Sequence, residues 1–300
     1  MKGQSIQVRE ASKIKIFLEM IKFEHTIFAL PFAYLGLVLG SMWVFGRWPR
    51  LYEWVFATLA MVGARTAAMS LNRLIDRAID AKNPRTASRA LPRGLLSIRE
   101  VWLYIILSFA LLFFAAAMLN PLAVKLLPLA VFVLVFYSYT KRFTWTSHLV
   151  LGVALGLAPL GGWVAATGRL DWVSLPIFFA VMFWTAGFDV VYATQDEDFD
   201  RAHGLHSIPV RFGLARSLLI ARVFHLISVL FFLLLWYTAG LNIVYGLGVL
   251  LAALILLYEH SIISPRDMSR LDMAFFTMNG ILSVVVFAAT VLALMTRHLI

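Results

Sequence analysis

The chain has 300 residues, 61% of them hydrophobic and 14% charged, with a formal net charge of +10 and no cysteine. So large an apolar share excludes a soluble globular domain, and the lack of cysteine excludes disulfide and thiol chemistry. In a soluble protein the positive balance would suggest nucleic acid; here it reads as membrane topology and contact with anionic lipid, so no nucleic-acid partner is expected.

A polar arm over residues 1–24 comes first, carrying Lys2, Arg9, Lys13, Lys15 and Lys22. It has no small-residue cleavage site before the apolar run, so a cytoplasmic arm is expected and not a signal peptide. Nine spans follow, at about 26–45, 52–71, 100–119, 121–138, 147–167, 172–192, 216–239, 241–260 and 274–296. Only Asn120-Pro121 separates the third from the fourth, which predicts a tight antiparallel pair. The basic residues of the arm and of alternate loops far outnumber those of the opposite side, Arg47, Arg50, Arg169 and Arg297. The positive-inside rule then puts the N-terminus and the two long loops, 73–99 and 193–215, in the cytoplasm of a multi-pass protein of the cytoplasmic (inner) membrane.

The first long loop opens on Asn72, Asp76 and Asp80, and the second on Asp189, Tyr192, Asp196 and Asp200. Spacing of four puts Asn72, Asp76 and Asp80 on one helical face, and Tyr192, Asp196 and Asp200 on another. Leu91-Pro92-Arg93-Gly94 is loosely matched by Ile208-Pro209-Val210-Arg211-Phe212-Gly213, so the chain reads as an internal repeat. The predicted fold is an all-α integral membrane protein, a single polytopic domain over 1–300. It has nine transmembrane helices in two related half-bundles around a central cavity.

Like charges four apart on a helix repel, and a divalent cation offsets that cost. Helix ends often carry solvated acids paired with Arg, but two matching loops, each closing a long apolar helix, argue for a shared ligand. Oxygen donors without cysteine or a histidine pair favour Mg2+, which binds one or two carboxylates and shares its other positions with water and phosphate. Two acidic helix ends, Asp76 and Asp80 facing Asp196 and Asp200, would hold two such ions about a diphosphate. Nearby Arg and Lys would take the remaining phosphate oxygens.

These motifs resemble those of the UbiA superfamily of intramembrane prenyltransferases. The first, N-R-L-I-D-R-A-I-D, matches at Asn72, Asp76 and Asp80, with Arg73 where many members carry an acid. The run after it matches at Arg85, Thr86, Ser88, Arg89, Leu91, Pro92 and Gly94, and the second motif at Asp189, Tyr192, Asp196 and Asp200. Tyr137-Ser138-Tyr139-Thr140-Lys141-Arg142 is similar to the family's Tyr-Pro-x-x-Lys-Arg loop, with Ser138 for Pro. Within the superfamily the chain is similar to 4-hydroxybenzoate polyprenyltransferases, while "KFEHTIFALPFAYLG" resembles the futalosine-route menaquinone branch.

The resemblance implies Mg2+-dependent transfer of a polyprenyl group from polyprenyl diphosphate to an aromatic acid, by ionisation of the diphosphate and electrophilic attack on the ring, in ubiquinone or menaquinone biosynthesis. It assigns Arg85, Arg89, Lys141, Arg142 and Arg211 to the diphosphate. Arg65, two turns deeper than Asn72, is the candidate for the acceptor carboxylate. Arg73 has two readings, diphosphate or lipid headgroups. Glu24 and His25 read as an interfacial pair, His148 and His225 as solvated, His203 and His206 as possible phosphate contacts, and Asn279 as an interhelical bond. Alternatives are prenyl transfer to a porphyrin or sugar phosphate acceptor, or an ion-coupled transporter. The acids, however, lie at helix ends with basic loops, and no helix breaks are evident at mid-membrane.

Overall fold

The computed structural model describes residues 12–23 and 26–297, the side chains of 26–28 excepted. Glu24, His25 and most of the expected arm lie outside the described residues. The elements are α1 (Lys13–Met20), α2 (Thr26–Phe45), α3 (Leu51–Ile75), α4 (Arg77–Asp80), α5 (Ile98–Leu119), α6 (Pro121–Thr140) and α7 (Ser147–Thr167). They continue with α8 (Leu175–Ala193), α9 (Glu197–Ala202), α10 (Ile208–Phe212), α11 (Leu214–Thr238), α12 (Ile243–Ser261) and α13 (Asn279–Met295). Among the described residues eight helices are long and apolar enough to cross a membrane, and α2 adds a shorter apolar stretch, Ala29–Phe45. Nine spans were expected, and the ninth rests on α2.

Local chemistry sets the ends. Ser97 and Glu100 form a reciprocal cap that starts α5. Asn120 ends α5 in extended backbone, caps α6 by accepting from the Ala123 N–H at 2.9 Å, and donates to the Val164 carbonyl at 2.7 Å. Pro121, lacking an N–H, fits the first turn of α6, where that donor would be orphaned anyway.

In a bilayer, helices associate through close packing more than through the hydrophobic effect, so small residues mark the crossings. α2 packs on α7, α3 on α5, α8 between α7 and α11, and α13 on α12 and α2. A Cβ on Gly36 would lie 1.9 Å from the Pro159 carbonyl oxygen, and one on Gly162 would lie 2.0 Å from that of Ala33. Phe32, Trp163, Trp184, Phe232 and Tyr245 fill the core beside this crossing.

The acidic motifs share one backbone device. α3 stops at Asp76 (φ −88°, ψ 0°), from which α4 restarts. After α8 the chain passes through a 3-10 turn, Thr194–Asp196, and α9 restarts from Asp196 (φ −103°, ψ 4°). Each break falls on the acid four residues before the last acid of its motif, the form expected of two related half-bundles.

Candidate active site

Both motifs open on a cavity of about 1290 Å³. Asn72, Asp76, Asp80, Asp189, Tyr192, Asp196 and Asp200 all line it, as do Arg65, Arg73, Arg85, Arg89 and Lys141. Its polar end lies at the breaks after α3 and α8. From there an apolar limb runs along α3, α5, α6 and α7 past Ala64 and Ala130 to Ala57, Leu119 and Ala123.

The acids are held by a network of cations. Asp76, 2% exposed, pairs with Lys141 at 2.6 Å and Arg142 at 2.9 Å, and accepts from Asn72 Nδ2 at 3.2 Å. Arg89 donates to both oxygens of Asp80 at 2.8 Å. Arg85 forks onto Asp196 and reaches the Tyr192 hydroxyl at 3.0 Å, so the first loop ties down the second motif. Burial works most strongly against the charge on Arg85, but its bond to Asp196 together with the attraction of Asp196, Tyr192 and Asp80 outweighs this and raises its pKa. Asn83, 7% exposed, donates to the same Asp196 at 2.9 Å. Among the described residues Asp200 lines the cavity without an ion pair, unlike the other motif acids.

Arg73 lines the cavity. Its guanidinium turns inward, donating to the Asn72 side chain at 3.3 Å and the Met20 carbonyl at 3.4 Å, and not outward to headgroups. Arg142 stands behind the cavity wall, bonded to Asp76 and to the Ile75 and Ser138 carbonyls. Arg211 is not brought to the cavity: it is exposed and lies over the Trp145 ring at 5.1 Å.

Three weaker expectations are corrected. His148 and His225 are not solvated but 3% and 2% exposed. His148 Nδ1 meets Asp189 at 2.7 Å, while its Nε2 accepts from the Ile208 N–H at 3.3 Å. Asn279 does not bridge helices; its amide donates to the Ala274 and Phe275 carbonyls of its own chain, in the π-helical turn Met273–Met278. His206 lines the cavity, whereas His203 stacks on Phe199 at 4.0 Å.

Sequence reasoning missed Asn83, the His148–Asp189 pair, and Phe275, whose ring stacks on Tyr192 at 4.1 Å. Asn83 had a signal, since it lies three residues beyond Asp80 and so one turn on. Phe275 had none, since its neighbour comes from α8.

The donor set suits a hard cation. The five motif carboxylates and the Asn72 amide converge on the cavity with no thiol, and among the described residues Asp200 presents its carboxylate there without an ion pair. The cationic rim suits a polyanion.

The family model described as the UbiA prenyltransferase family matches residues 29–281. A 4-hydroxybenzoate octaprenyltransferase of Shewanella woodyi is 28% identical over 270 residues, 89% of this chain and 93% of the relative. The apo structure of a UbiA homolog from Aeropyrum pernix is 34% identical with a TM-score of 0.81, covering 90% of this chain and 98% of that one. A UbiA homolog from Archaeoglobus fulgidus, bound to GPP and Mg2+, has the same fold at 22% identity and a TM-score of 0.74, with 93% and 99% covered. With both acid motifs on one cavity in a helical membrane bundle, and most of its length matched, this chain belongs to the UbiA prenyltransferase family.

Proposed function

We propose that the chain transfers a polyprenyl group from polyprenyl diphosphate to an aromatic acid of the 4-hydroxybenzoate type, in ubiquinone or menaquinone synthesis. The observation that carries this reading is the single cavity, which joins an acid-and-base polar end to a long apolar limb. The naming of relatives as 4-hydroxybenzoate octaprenyltransferases supports the acceptor class. Asp76, Asp80, Asp196 and Asp200 would hold Mg2+, two ions in this reading. What Mg2+ supplies when bound is Lewis-acid neutralisation of charge on the diphosphate.

The chain's own groups do the rest. Arg85, Arg89 and Lys141 exchange their carboxylate partners for phosphate oxygens, Arg in bidentate fashion, while Arg142 holds Asp76 in place. The apolar limb encloses the prenyl tail and excludes water, which would quench an allylic cation. Tyr192 and Phe275 offer ring faces, and Asn72 its amide, to that cation without capturing it. Arg65 lies deeper on α3 and receives the acceptor carboxylate. The activated ring carbon takes the prenyl group as the C–O bond breaks, and the ring then loses a proton. The positive-inside pattern supports an N-terminus and motif loops in the cytoplasm of the inner membrane.

The test is purified protein with Mg2+, polyprenyl diphosphate and a panel of acceptors including 4-hydroxybenzoate, with products read by mass. We expect prenylated aromatic acid, lost on chelation and abolished by Asp76→Asn or Asp196→Asn. Full turnover in EDTA, or wild-type rates in both variants, would overturn the reading.

A further inference from the structure

Outside the active site, one group of side chains is unexplained. Glu259 is 1% exposed at the end of α12, and both its carboxylate oxygens are buried without a hydrogen-bond partner. A lone buried carboxylate is costly, and native proteins seldom keep one without a proton or a cation. Two imidazoles stand beside it: His225 Nδ1 lies 2.9 Å from His260 Nε2, and ligand atoms of all three residues lie within 4.8 Å of one another. The Nδ1 of His260 is also buried without a partner. None of the three lines the active-site cavity.

The surroundings are shaped for the His225 ring. A Cβ on Gly187 of α8 would lie 2.2 Å from that ring, so only glycine leaves the space. On that same edge Nε2 meets the Trp184 carbonyl at 3.2 Å. That contact fixes the proton on Nε2 and turns the Nδ1 lone pair toward His260 and Glu259. Orientation of a ligating imidazole by a backbone carbonyl is a recurrent feature of metal sites.

We propose that His225, His260 and Glu259 bind a transition-metal ion of the zinc class and thereby fasten α11 to α12. Two imidazoles and a carboxylate are a zinc donor set, and the nitrogen donors argue against Mg2+ or Ca2+. Tetrahedral bonds of about 2.0–2.1 Å space donors about 3.3 Å apart, which small side-chain shifts provide. The ion accounts for the orphaned carboxylate and for two imidazoles brought together in an apolar setting. The site lies off the reaction path, so its role is structural, and the proposal stands whatever acceptor the enzyme uses.

The test is a Zn2+ titration of the purified full-length protein in detergent, with excess Mg2+ present to occupy the oxygen donors of the active site. Bound zinc is counted after gel filtration, and Co2+ is substituted for its visible spectrum. We expect one Zn2+ per chain, the intense bands of four-coordinate Co2+, and a Tm that rises with Zn2+. Glu259→Gln and His260→Gln, close in size to the originals, should each weaken binding at least about tenfold and remove the Tm response. No zinc retained by the wild type above the level of E259Q would overturn the proposal and leave Glu259 as a protonated acid. Unchanged zinc in both variants would overturn it equally.

Discussion

Single residues decide whether the cavity works on its two substrates separately. Every motif acid but Asp200 has a named cation or imidazole, so the polar end is preorganised before any ligand arrives. Such pairs, partly shielded from water, are costly to break one partner at a time. Replacing Arg89 or Lys141 with Ala should therefore raise the KM for prenyl diphosphate more than that for the acceptor. Steady-state kinetics with each substrate varied in turn decides this, and a selective loss of acceptor affinity would remove both from the phosphate site. In the proposed function Arg65 serves the other substrate. If it grips the acceptor carboxylate, truncation strands an anion in a low-dielectric site, at about 3–5 kcal/mol, or roughly two to four decades in kcat/KM. Arg65→Met should lose most activity on a hydroxybenzoate-type acid while still binding prenyl diphosphate. Lys in its place should rescue only in part, because it lacks the planar fork. A neutral phenol of similar size should be penalised far less. An unchanged ratio of kcat/KM for acid over neutral acceptor would assign Arg65 to structure or to the diphosphate.

At the level of helices, backbone proximity holds the bundle around the site. A side chain at Gly162 would strike the Ala33 backbone, which has no rotamer to yield, so α2 and α7 must part. Gly162→Val should cost about 1–3 kcal/mol, read as a lower Tm in detergent, with Gly162→Ala intermediate; no change would show that the helices shift freely. These crossings also show what the sequence could tell. The spans were legible because apolar runs and caps are local signals: the break at Asn120-Pro121 falls where it was expected. The two acid motifs were legible because spacing of four is a property of one helix. What joins them was not, since Asn83 and Asp196 are 113 positions apart and Lys141 comes to Asp76 from another helix. His148 and His225 were misread for the same reason. A polar residue near a helix end looks solvated until Asp189 and His260 arrive from other helices.

For the whole molecule, the shape of the cavity sets a limit on the donor. Ala57, Ala60, Ala64 and Ala68 recur every three or four residues down α3 and line the limb, so small side chains keep it open below the polar end. Ala60 lies twelve positions before Asn72, hence about 18 Å deeper along the helix. α6 contributes another wall, whose Leu129 lines the cavity and is 58% exposed. The limb thus has two ways to accommodate a long tail: down α3 to Ala57, or sideways past α6 into lipid. Filling it with Ala60→Phe separates them. If the tail runs down α3, donors of two or three isoprene units keep their kcat/KM, while longer donors fall in proportion to what no longer fits. Arg65 and the motif acids are untouched, so the KM for the acceptor should not move. The measurement is kcat/KM across donors of increasing length for wild type and variant. A flat profile in the variant would mean that long tails leave between the helices at Leu129, and Leu129→Trp would then become the length-selective change.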